Sequence, residues 1–114
     1  MAGQLTTHAL DLILGQGAVG LIVGVQRLQP SPQQLGEIAL DDGGRAILAA
    51  GAAFLPGVYE LLFKAGAYHR AHGLTGREGF LDEIPVRFAV ADASQHCHVP
   101  ILLSLYGYSV YRGG

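Results

Sequence analysis

The residue types able to carry out chemistry in this chain are few and widely separated. His96 and His98 stand two apart, His8 lies in an early apolar segment, and Arg45 follows an Asp41-Asp42-Gly43-Gly44 stretch. An imidazole titrates near pH 6.5, so near neutrality it can both accept and return a proton. A guanidinium adds a permanent charge and a planar set of donors for a carbonyl oxygen or a developing oxyanion. Together these groups suit the addition of water to a carbonyl. On a strand, residues two apart project from one face, so His96 and His98 point together while Cys97 points away.

Each candidate also has an ordinary reading. A single strand histidine is more often a hydrogen-bonded or exposed residue than a catalyst. His96 and His98 could share a metal ion, but no second cysteine or histidine cluster stands at a zinc spacing, and no metal site is expected. His69 and His72, with Arg70 between them, read as a solvated helix face. Cys97 has no activating neighbour on its own face and reads as a small core residue. Tyr106, Tyr108 and Tyr111 read as sheet-packing residues, with Tyr111 also placed to line a pocket beside Arg112. Glycine-rich phosphate loops, the dinucleotide fingerprint and the Gly-x-Ser-x-Gly elbow are all absent, which argues against nucleotide enzymes and common serine hydrolases.

The elements that must position these residues are short. Half of the 114 residues are hydrophobic and 14% are charged, enough for one buried core and one domain spanning 1–114. So low a charge density hints at subunits that hide surface from water. A net charge of −2 with one lysine offers no basic patch for nucleic acid or anionic membrane. The lone cysteine rules out an internal disulfide. There is no long apolar run, and no basic-then-apolar leader follows Met1, so a cytoplasmic location is expected.

Seventeen glycines and five prolines divide the chain into short runs rich in valine, isoleucine, leucine and tyrosine, the pattern of an all-β sandwich. Strands are expected near 5–12, 20–28, 35–40 and 45–48, with a short strand and loop in the alanine-rich 46–53. Further strands are expected near 58–64, 84–91, 96–104 and 106–112. Residues 65–72 lack β-branched side chains and stop at Gly73, which predicts one or two helical turns. Pro85 places its strand at an edge or makes it a strand start.

Four stretches together carry a resemblance. They are Leu5-Thr6-Thr7-His8-Ala9-Leu10-Asp11, Asp42-Gly43-Gly44-Arg45, Pro56-Gly57-Val58-Tyr59 and the tail from His96 to Gly114. The tail is similar to His-Tyr-His-Val-Pro-Leu-Leu-Leu-Ser-Pro-Tyr-Gly-Tyr-Ser-Thr-Tyr-Arg-Gly-Ser, the signature of the 5-hydroxyisourate hydrolases, also called transthyretin-like proteins. The resemblance implies an eight-stranded sandwich with a short helix after the fifth strand. It also implies a homotetramer with active sites in a channel between dimers, and a reaction without cofactor. That reaction converts 5-hydroxyisourate to 2-oxo-4-hydroxy-4-carboxy-5-ureidoimidazoline in urate breakdown. Carried over by motif, the catalytic positions are His8, Arg45 and His98, and the substrate-binding positions are Tyr111, Arg112, Gly113 and Gly114. The chain departs from the signature at Cys97, Leu105 and Gly114, where the family has tyrosine, proline and serine. The same scaffold resembles the thyroid-hormone carrier transthyretin, so the alternatives are a small-molecule carrier or a paralogue of reduced activity.

Overall fold

The computed structural model describes residues 3–75 and 79–113. Its strands are β1 (Gln4–Asp11), β2 (Gln16–Gly17), β3 (Ile22–Gln29), β4 (Gln33–Ala39), β5 (Arg45–Ala50), β6 (Gly57–Lys64), β7 (Glu83–Val90), β8 (Cys97–Leu103) and β9 (Tyr108–Val110). One α-helix, α1 (Ala65–Ala71), follows β6, and a single 3-10 turn covers Gly51–Ala53. The expected strands and helix are present, with ends shifted by no more than two residues. The one strand added is β2, of two residues. With β2 set aside there are eight strands, and the helix follows the fifth.

The strands form two sheets. One has the order β4-β3-β6-β7, and in the other β1 pairs β8 on one side and both β2 and β5 on the opposite side, with β9 beyond β8. Period-two patterning explains the layering. Leu5, Ala9, Val23, Val25, Leu61, Phe63, Ile101 and Leu103 are all nearly or fully buried between the sheets, and their strand neighbours face outward. Burying each larger side chain contributes about 1.5–3 kcal/mol relative to exposing it. Among the described residues β7 pairs only with β6, so Pro85 lies on an edge strand, one of the two placements expected for it.

Two expectations are overturned. His69 is not on a solvated face but is 1% exposed, because Ala65, Tyr68 and His69 share the i, i+3, i+4 stripe that α1 turns inward. Tyr106, Tyr108 and Tyr111 do not pack in the sheets and are 77%, 46% and 53% exposed. Tyr106 lies in the β8–β9 connection and the other two lie on or just past an edge strand, where no second layer covers them. No helix among the described residues is long and apolar enough to cross a membrane.

Candidate active site

Strand pairing decides which of the candidate residues meet. β1 turns Leu5, Thr7, Ala9 and Asp11 into the core, leaving Thr6 and His8 on the outer face. β5 runs antiparallel beside it, so Arg45 lies opposite His8 and Ile47 opposite Thr6. On the other side β8 runs parallel to β1 and sets His98 opposite Thr6. Three distant segments thus deliver His8, Arg45 and His98 to one outward face. A one-residue slip in any of them would send its side chain into the core.

Arg45 is held by the preceding turn. One carboxylate oxygen of Asp41 accepts hydrogen bonds from the backbone N–H groups of Gly43 and Arg45, each at 2.9 Å. The Arg45 amide is the main cause holding the Asp41 carboxyl below its ordinary value, helped by the Gly43 amide and the nearby Arg45 and His8 side chains. Gly44 has φ +77°, and a Cβ there would stand 2.5 Å from the Ala9 carbonyl, so the turn accepts only glycine at this point.

The outer face forms an open depression of about 480 Å³, lined by Thr6, Thr7, Asp41, Arg45, Ala46, Ile47, His96, His98 and Gly113. His8 flanks it. Its Nε2 lies 3.0 Å from the Gly43 carbonyl oxygen, which can only accept, so Nε2 carries the hydrogen. His98 is fixed on two sides. Its Nδ1 is 2.8 Å from Thr6 Oγ1, and the backbone N–H of Gly113 donates to its carbonyl at 2.8 Å. Its Nε2 makes no hydrogen bond to any described residue. Burial, then His96, His8 and Arg45, push the His98 imidazole below its ordinary value, so it is neutral at pH 7 with a lone pair to offer.

His96 shares the face with His98, as the i, i+2 spacing predicts, and its Nε2 is 2.7 Å from the same Thr6 Oγ1. The structure therefore lines one depression with Arg45, His98 and Gly113, while His8 stands on the same sheet face opposite Arg45 but outside the lining. Tyr111 and Arg112 instead line a second cavity of about 370 Å³ beside β7, together with Cys97, whose thiol is pushed up by burial against the opposing pull of Arg112. Gly114 lies outside the described residues. Sequence reasoning missed Thr6 and Asp41. Thr6 stands two residues before His8 and so shares its face, which was the available signal. That it also faces His98 depends on the β1–β8 register.

The family model for the HIUase/Transthyretin family matches residues 5–113. This chain belongs to that family. The family's 5-hydroxyisourate hydrolase 2 of Rhizobium meliloti (strain 1021) is 46% identical over 98% of this chain and 97% of its own length. The 5-hydroxyisourate hydrolase of Mesorhizobium japonicum is 49% identical over 97% of this chain and 92% of its own. Among solved family structures, 5-hydroxyisourate hydrolase of Klebsiella pneumoniae superposes with a TM-score of 0.83 at 28% identity, covering 98% of this chain and 99% of that one. An (S)-allantoin synthase superposes with a TM-score of 0.93 at 36% identity, covering 99% of this chain but only 44% of that larger protein.

Proposed function

We propose that this chain hydrolyses 5-hydroxyisourate to 2-oxo-4-hydroxy-4-carboxy-5-ureidoimidazoline, by attack of water on a ring amide carbonyl. The observation that carries this reading is that, in a member of this family, strand register brings His8, Arg45 and His98 to one sheet face, with Arg45 and His98 lining its depression. The His98 imidazole, neutral and with Nε2 open, takes a proton from the water. Arg45 binds the carbonyl oxygens and the charge that develops on them. His8, whose Nε2–H is committed to the Gly43 carbonyl, keeps Nδ1 to help orient water or substrate. Gly113 brings the tail backbone against His98. No metal or organic cofactor has a step in this scheme.

A homotetramer with this face turned into a channel between dimers fits the exposure pattern. Ile47 in the depression is 57% exposed, and the consecutive Leu12, Ile13 and Leu14 are 57%, 40% and 43% exposed, apolar surface that a second copy would cover. Of the substrate-binding residues that the motif carries over, Gly113 lines the depression, whereas Tyr111 and Arg112 line the second cavity. A cytoplasmic location accords with one half-buried, unpaired cysteine.

The test is the ultraviolet decay of freshly generated 5-hydroxyisourate. The protein accelerates it, and His98→Ala lowers kcat by at least about 100-fold while leaving the melting temperature nearly unchanged. An unaltered rate in that variant, or tight thyroid-hormone binding by a chain that does not hydrolyse the substrate, would refute the proposal.

A further inference from the structure

The Thr6 hydroxyl lies between two imidazoles, 2.7 Å from His96 Nε2 and 2.8 Å from His98 Nδ1. A hydroxyl has one hydrogen to give, so with both imidazoles neutral it donates to one ring and accepts from the other. The two arrangements have the same heavy-atom geometry and differ only in where protons sit. We infer that Thr6 couples His98 and His96 into a single base, in which His98 Nε2 keeps the proton taken from water while the positive charge this creates is passed through Thr6 to His96. This rests on the hydrolytic reading above and adds two residues to it, Thr6 as a positioning residue and His96 as the site that stores the charge.

The proton count closes. At rest His98 carries Nδ1–H, donated to Thr6 Oγ1, and Thr6 donates to the bare Nε2 of His96. Water gives a proton to His98 Nε2 as its oxygen bonds to the carbonyl carbon. His98 passes its Nδ1 proton to Thr6, and Thr6 passes its own to His96 Nε2. Thr6 is regenerated, His98 is neutral with Nε2–H, and His96 is an imidazolium. The hydrogen now on His98 Nε2 faces the depression and can be given to the departing ring nitrogen. The reverse shift from His96 then restores the start.

Solvation gives the shift its direction. His98 is partly buried and faces His96 just ahead of its own strand, His8 on β1 and Arg45 on β5, all of which oppose a charge on its ring. His96 lies just before β8 and is exposed, so a charge moved there stays in contact with water. The arrangement assigns a use to the histidine that the family motif leaves aside.

Two measurements test it. In steady-state hydrolysis, Thr6→Val and His96→Gln each lower kcat about 10-fold to 100-fold with KM little changed, and Thr6→Ser restores most of the rate. The double variant is no worse than either single one, because each breaks the same chain. Losses that multiply, or a Thr6→Val enzyme at the wild-type rate, overturn the inference. His96→Gln alters an exposed side chain, so that arm does not depend on the core of β1. Independently of any activity, ¹⁵N spectra of the ring nitrogens are followed as pH is lowered. The expected result is that His98 moves from Nδ1–H to Nε2–H in the same step that charges His96. A His98 ring that holds Nε2–H at rest, or keeps Nδ1–H while His96 titrates, sinks the coupling. A wild-type protein that leaves 5-hydroxyisourate untouched would instead sink the hydrolytic reading, with the spectra still deciding the coupling.

Discussion

A Cβ placed on Gly113 would stand 2.6 Å from Cδ2 of His98, closer than any real side chain tolerates, so the tail backbone packs directly on the imidazole. The isolated bridge between these two residues is thus a clamp on the ring as well as a backbone pairing. Gly113→Ala is expected to push the His98 ring away from Thr6 and cut kcat by about 100-fold, the scale of a misplacement of roughly 1 Å. Stability should change by less than about 1 kcal/mol, since the residue is outside the core. Parallel kinetics and thermal melts check this; wild-type turnover would show that the ring has room to spare.

Arg45 acts on both the substrate and His98. Arg45→Ala removes the oxyanion partner and is expected to lower kcat/KM by about 100-fold or more. It also removes a cation that opposes charging of His98. For a base that must be neutral, activity is lost as pH falls through its folded value, which here lies below the ordinary 6.5. The acidic limb of the variant's pH profile should therefore move upward, toward 6.5. Arg45→Lys keeps the charge and should hold the limb in place while still losing the planar donor set.

Away from the site, Tyr68 donates a hydrogen bond to the fully buried Asp11 carboxylate at 2.6 Å, and the other Asp11 oxygen accepts from the Ile13 and Leu14 amides. Burial pushes the Asp11 carboxyl up. The Tyr68 hydroxyl, those two amides and His69 together outweigh it and hold the group below 3.8. Its contribution to stability is therefore full above about pH 3.8 and lost as pH falls through the lower folded value. Tyr68→Phe should cost about 1–3 kcal/mol at pH 7 by urea unfolding, with the gap to wild type narrowing in acid.

His69 predicts a second pH effect. Burial, reinforced by His72 and opposed by Asp11, holds its imidazole below the ordinary 6.5, and its Nε2 has no hydrogen-bond partner among the described residues. The unfolded chain binds the proton more readily, so stability is full above about pH 6.5 and declines as pH falls toward the folded value. Unfolding midpoints should drop between pH 7 and pH 5. His69→Leu, which replaces an unpaired polar ring with an apolar side chain, should flatten that slope; an unchanged slope would exclude His69 as its source.

The sequence by itself determined the layers and the chemistry available to them. Alternation in segments such as Ile84, Val86, Phe88 and Val90 can be satisfied only by half-buried strands, and the Asp41-Asp42-Gly43-Gly44 turn is written in residue types that favour it. The family motif also named His8, Arg45 and His98. Period two makes a strand legible because it is local, but it does not say which strand lies beside which, or in what register. The placing of Thr6 opposite His98, the bridging of two imidazoles by one hydroxyl, and the inward turn of His69 belong to the tertiary structure alone. Each depends on contacts between residues far apart in the chain, and those are set by how two sheets and a helix bury their apolar surfaces together.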